Sequence, residues 1–159
     1  MCLTCQLLRG EKEIPFGVVY ENEFVFVHHC IDVAVPGYLI LSPKRHVGGY
    51  EELTLEESAA VGAALQEMIF RLKRIAGVEK VYIANFAEET AHFHFHLFPR
   101  YGWMKEIQAA YVGDKLDGAK LFSLVRQTHK RSGIAEEANV RNVVAAIRKM
   151  QMYEEKESL

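Results

Sequence analysis

His92-Phe93-His94-Phe95-His96-Leu97-Phe98 alternates imidazole with apolar side chains. Alternation at period two is the pattern of a half-buried strand, whose successive side chains point to opposite faces. It predicts Phe93, Phe95 and Leu97 on a core face and the rings of His92, His94 and His96 together on the other. Rings two residues apart on a strand stand roughly 6.5 to 7 Å from one another and can converge on one small ligand. Three uses remain open at this level: a polar face that happens to be histidine, a three-histidine metal site, or nucleophilic chemistry. Histidine is partly apolar and titrates near neutrality, which makes it an odd choice for a solvated face. A metal held by all three would force a straight strand to bend, because the rings span about 13 Å end to end. Nucleophilic use against phosphorus fits better: a neutral imidazole has a free lone pair at pH 7, and its phosphoramidate is labile to water.

Working outward, Val81 to Asn85 reads as a strand joined to this stretch by a polar turn, Ala87 to Thr90. Upstream, Gly17 to Tyr20 and Phe24 to His29 read as a hairpin, and Tyr38 to Leu41 as a short buried strand closed by Pro43. From Thr54 the period changes to three and four. Leu55, Ala59, Gly62, Leu65, Ile69 and Leu72 are predicted to form the apolar face of the main helix. Thr54 and Glu57 match a capping box, and Gly77 suits a left-handed cap. Ile134 to Met150 is a second amphipathic helix, with Val140, Val143, Val144 and Ile147 inward, whereas Tyr101 to Gly133 carries no clear pattern. The fold class is α+β: a five-stranded antiparallel sheet, one long helix between strands 3 and 4, and a C-terminal helix.

The chain of 159 residues is 50% hydrophobic and has a formal charge of -2, so no global attraction to nucleic acid or anionic membrane is expected. No apolar run approaches the ~20 residues of a membrane span, and no secretory signal is visible, so the expectation is a cytoplasmic protein. The three cysteines, Cys2, Cys5 and Cys30, form no secreted disulfide framework. Cys2-Leu3-Thr4-Cys5 has a spacing at which two thiolates bind one metal ion, although two incidental thiols would look the same.

The seven-residue stretch resembles, at every position, the signature of the histidine-triad family, His-φ-His-φ-His-φ-φ with φ apolar. Ile14-Pro15-Phe16, Val19-Tyr20-Glu21, Pro36-Gly37 and Pro43-Lys44-Arg45-His46 resemble further family landmarks in order, over Cys2 to about Arg100. The resemblance implies a nucleotidyl hydrolase or transferase, of the phosphoramidase or dinucleoside polyphosphate hydrolase kind, acting on a phosphate-linked adenosine nucleotide. His94 would be the nucleophile, His96 would contact the scissile phosphate or assist the leaving group, and Asn85 and Thr90 would bind substrate phosphates. It also implies a structural zinc ion on Cys2, Cys5, His46 and His92, no organic cofactor, and a homodimer. Residues 1–105 would form the family domain with its zinc-binding segment, and 106–159 a C-terminal extension packed on it. Two departures stand out. Cys30 occupies the place of an acidic or amide residue that binds ribose, and Phe86-Ala87-Glu88-Glu89-Thr90 replaces a Gly-rich phosphate loop with two carboxylates, which would repel a polyphosphate unless they point to solvent. These departures keep two rivals in view: a nucleotide-binding regulatory module with little turnover, and a metal-dependent hydrolase with the triad histidines as ligands.

Overall fold

A computed structural model describes residues 2–112, 115–131 and 134–150, the side chains of 108–112 and 134–136 excepted. Five strands form one antiparallel sheet: β1 (Val18–Glu21), β2 (Val25–His29), β3 (Leu39–Pro43), β4 (Val78–Ala84) and β5 (Phe95–Tyr101), in the order β1-β2-β3-β5-β4. Among the described residues five α-helices accompany them: α1 (Leu3–Leu8), α2 (Leu55–Lys73), α3 (Trp103–Val112), α4 (Gly118–Thr128) and α5 (Ile134–Lys149). The predicted class, long helix and C-terminal helix are present.

Both faces of the sheet are buried, which sorts its residues by parity. Val25, Val27, Leu39, Leu41 and Leu97 pack with Val61, Ala64, Met68 and Leu72 of α2 and with Val140, Val144 and Ile147 of α5. On the opposite face Tyr38, Ile40 and Phe98 pack with Leu121 and Val125 of α4. Register completes the sorting. His28 stands opposite Ile40, and Ile40 opposite His96, so these three form one row across β2, β3 and β5 on the α4 side.

Three expectations are corrected. The stretch 92–94 lies outside β5, which starts at Phe95 and runs through Pro99 to Tyr101. Its backbone follows the loop after β3 instead, with the Phe93 N–H donating to the Val47 carbonyl at 2.8 Å. Pro99 is tolerated because it lies past Leu97, the last β5 residue paired with β3. The buried stripe of α2 is Val61, Ala64, Met68 and Leu72, while Leu55 is 85% exposed and Gly62 is exposed. In an Ala-rich helix several stripes have similar spacing, and the one chosen also buries the Glu67–Arg71 ion pair. Finally, α3 and α4 occupy the stretch whose pattern was unclear.

The boundary signal at the start of α2 holds, and the one at its end does not. Thr54 and Glu57 make the reciprocal capping box of α2. Gly77 is left-handed at φ 84, although it opens β4 rather than capping α2, which ends at Lys73. Gly37, at φ 74, turns the chain into β3 beneath α2, where a Cβ would come within 2.9 Å of Leu72.

Candidate active site

His92 is fully buried and turned away from the other two triad rings. Its Nε2 is 2.9 Å from the Pro43 carbonyl, which only accepts, so the ring proton is on Nε2 and the Nδ1 lone pair is free. Nδ1 faces the sulfurs of Cys2 and Cys5, each at 3.6 Å. Cys5 Sγ is 3.3 Å from His46 Nδ1, and the four ligand atoms lie within 4.8 Å of one another. The sequence achieves this locally by making Cys2 the N-cap of α1, so that both sulfurs leave the same side of its first turn. Arg45 forks onto Glu57 at 2.6 and 2.8 Å, which steadies the segment carrying His46 and holds the Glu57 carboxyl down to about 2.

These residues fit a tetrahedral metal ion. Zinc bonded to sulfur at ~2.3 Å and to nitrogen at ~2.05 Å sets S···N edges of about 3.5 Å, close to the separations present. Burial pushes the His92 pKa down, keeping the ring neutral as ligation requires.

His94 and His96 face the other way, into a cavity of about 410 Å³. His94 Nδ1 is 2.8 Å from the His92 carbonyl, so it bears the ring proton and leaves Nε2 with a lone pair. Nε2 lies 3.2 Å from His96 Nε2. His96 Nδ1 is 2.8 Å from the Tyr38 hydroxyl, which in turn accepts from Arg126 at 2.6 Å. Burial first, then the charges of His94 and Arg126, push His96 down to about 4, so this ring is neutral at pH 7. With His92 turned toward the cysteines, the three rings do not converge on one ion.

The cavity is lined by the apolar Leu3 and Leu7 of α1, Ile31 and Ile40, and by the polar His94, His96 and Thr90. Asn85 does not line it; its amide donates to the His94 carbonyl at 2.6 Å and so holds the backbone at His94. Glu88 and Glu89, left open between repelling a polyphosphate and pointing to solvent, are exposed and also line the cavity, next to Ala87 at the left-handed φ of 53. Of the histidine pair ending β2, His28 lines the cavity, whereas His29 is buried on the other face, its Nε2 2.8 Å from the Val35 carbonyl and its Nδ1 2.8 Å from the Cys30 carbonyl and 3.1 Å from the Arg131 guanidinium. Cys30 also lines the cavity, and its thiol donates to Asp32 Oδ1 at 2.9 Å. His129 is half-buried beside Trp103 with ring centroids 5.0 Å apart.

Sequence reasoning missed Tyr38 as a site residue, and Phe122 and Arg126 of α4 altogether. A signal for α4 was present in Asp117, which accepts from the N–H groups of Ala119 and Lys120, ahead of Leu121 and Val125 at helical spacing. No local pattern could bring Arg126 to Tyr38.

A model of the HIT domain matches residues 11–103. An uncharacterised HIT-like protein of Methanocaldococcus jannaschii is 31% identical over 106 residues, covering 64% of this chain and 80% of the relative. The crystal structure of a HIT family protein from Bacillus anthracis is similar, with a TM-score of 0.57 and 26% identity over 64% of this chain and 74% of that one. A zinc-bound histidine triad family protein from Mycobacterium smegmatis, 22% identical, shares the fold at a TM-score of 0.62 over 92% of both chains. The shared fold therefore extends past residue 103 into the C-terminal helices.

Proposed function

The chain belongs to the HIT domain family, and from that premise we propose that it is a nucleotidyl hydrolase or transferase in which His94 bonds covalently to the phosphorus of a phosphate-linked nucleotide. One observation carries the reading: His94 Nδ1 is committed to the His92 carbonyl, which leaves the Nε2 lone pair directed into the cavity. Nε2 attacks phosphorus in line, the leaving group departs with the electron pair of the broken bond and takes up a proton from solvent, and a nucleotidyl-histidine results. Water or another acceptor then attacks the same phosphorus and returns His94 to its neutral state. His96 Nε2–H is the donor to a phosphoryl oxygen, where charge accumulates in the transition state. Because His96 is neutral, its part is stabilisation by hydrogen bonding rather than release of a proton.

About 410 Å³ is within the range of a small-molecule pocket. The apolar wall of Leu3, Leu7, Ile31 and Ile40 would take the base, adenine by family resemblance, and Thr90 would add a hydroxyl near the phosphates. Glu88 and Glu89 on the rim favour a phosphoramidate or another singly bridged nucleotide over a long polyphosphate. Cys2, Cys5, His46 and His92 would hold zinc, as their mutual distances fit, and its contribution there is to tie α1 to the loop before β5. The reading requires no organic cofactor, nucleic acid or membrane. It includes a cytoplasmic location, supported by cysteines arranged for a metal rather than a disulfide, and a homodimer, supported by the family resemblance.

The test is chemical trapping. Incubation with an adenosine 5′-phosphoramidate, followed by quenching in alkaline denaturant, where a P–N bond to histidine survives, and intact mass, is expected to show a nucleotidyl adduct. His94→Ala abolishes it and lowers turnover by on the order of a thousandfold or more. A protein that forms no adduct and turns over neither a phosphoramidate nor a diadenosine polyphosphate is instead a binding module.

A further inference from the structure

The cavity wall contributed by α4 lies outside residues 11–103, the part that matches the family model, yet it reaches the triad through an unbroken series of hydrogen bonds. Arg126 NH1 donates to the Tyr38 hydroxyl at 2.6 Å, and that hydroxyl is 2.8 Å from His96 Nδ1. Arg126 is held in turn, its NH2 3.2 Å from Asp32 Oδ2, while Asp32 Oδ1 accepts from the Cys30 thiol at 2.9 Å.

We propose that Arg126 is a positioning residue for His96: acting through Tyr38, it holds the neutral ring in the tautomer that carries its only proton on Nε2, aimed at His94 Nε2 and the phosphoryl group bound there. Each step follows from which atoms can donate. A guanidinium only donates, so it occupies an acceptor site of the Tyr38 oxygen and leaves the single hydroxyl proton for His96 Nδ1. With Nδ1 accepting, the neutral ring has its proton on Nε2. The other end of the series agrees. His94 Nε2 carries a lone pair because Nδ1 is bonded to the His92 carbonyl, so a His96 Nε2 without a proton would set two lone pairs against each other at 3.2 Å. At rest the His96 proton engages the nucleophile's lone pair; when phosphate enters, a phosphoryl oxygen takes over that proton and Nε2 of His94 is released to attack. Cys30 acquires a role in this arrangement, since its thiol fills an acceptor site of Asp32 and so steadies the carboxylate that anchors Arg126.

The catalytic part of this inference rests on the reading of His94 as nucleophile, but the tautomer does not, and the experiment separates the two. The full chain, labelled with ¹⁵N histidine, is examined at neutral pH by two-bond ¹H–¹⁵N correlation, with His96 assigned by comparison with His96→Gln. His96 is expected as the Nε2–H tautomer in the parent protein. Tyr38→Phe and Arg126→Gln each move it toward a mixture of tautomers, and Arg126→Lys restores it in part. With a nucleoside phosphoramidate, Arg126→Gln is expected to lower kcat about tenfold with KM changed less than about twofold, the size of one aligned hydrogen bond. An Nδ1–H tautomer in the parent, or spectra of His96 that neither substitution alters, overturns the proposal. If the parent turns over no nucleotide while its His96 tautomer responds as expected, the proposed activity fails and the positioning stands. Should Arg126→Gln not fold, Tyr38→Phe, which removes one hydroxyl and no bulk, breaks the same series of hydrogen bonds and decides between the two tautomers.

Discussion

Cys30 is 2% exposed, and burial followed by the nearby Asp32 charge pushes its thiol up to about 12, so it stays protonated and donates. A residue that looked like a defect in ribose recognition is therefore part of the support of Arg126. The same separation of neighbours by parity distinguishes His28 from His29, one on the cavity and the other packed under Arg131. Burial lowers both to about 4, against an ordinary value near 6.5. Their unfolded forms bind protons that the folded forms refuse, so stability should be level above pH 6.5 and fall as pH drops from 6.5 toward 4. Each histidine contributes about 1.4 kcal/mol of loss per pH unit in that window. Urea unfolding midpoints at pH 7, 6 and 5 test this; midpoints independent of pH would show that neither ring is held neutral. His29→Gln should reduce the slope.

Among the described residues α1 is the shortest α-helix, six residues that carry two proposed zinc ligands and contribute Leu3 and Leu7 to the cavity. A helix of that length is not stable by itself in water, so its attachment decides whether the cavity has that wall. Cys5→Ser should reduce zinc content, measured by atomic emission, to background and weaken nucleoside monophosphate binding by about tenfold or more. Unchanged zinc content would remove Cys5 from the ligand set. β5 gives the contrasting lesson at this scale. Its alternation correctly placed Leu97 and His96 on opposite faces, but alternation says nothing of where pairing starts. Pairing starts at Phe95, because the Phe93 N–H goes to Val47 and the His92 ring to Pro43, so His92 leaves the row in which it was predicted.

In the whole molecule, α5 closes the core face opposite the cavity. Val140, Val144 and Ile147 are buried against the sheet and α2, the buried Arg71 donates to the Ile147 carbonyl at 3.0 Å, and Arg148 bonds the carbonyls of Phe16 and Val18. Ile147→Ala should cost about 2 to 5 kcal/mol in denaturant unfolding, the range for a buried isoleucine whose cavity is not refilled. A loss under about 1 kcal/mol would mean that α5 docks loosely and the first 105 residues stand largely without it. Among the described residues no helix is long and apolar enough to cross a membrane.

Local order sufficed for what depends on neighbours along the chain: the capping box at Thr54 and Glu57 and the alternation that marks His94 and His96. Periods and caps are set by backbone geometry over a few residues, so a single sequence displays them. Tertiary structure alone decided which partner each imidazole nitrogen meets. His96 takes its hydrogen bond from Tyr38, 58 positions away, and Tyr38 from Arg126, 88 positions away. A ring's tautomer depends on the donor or acceptor brought to it by chain closure, and no periodicity encodes that meeting.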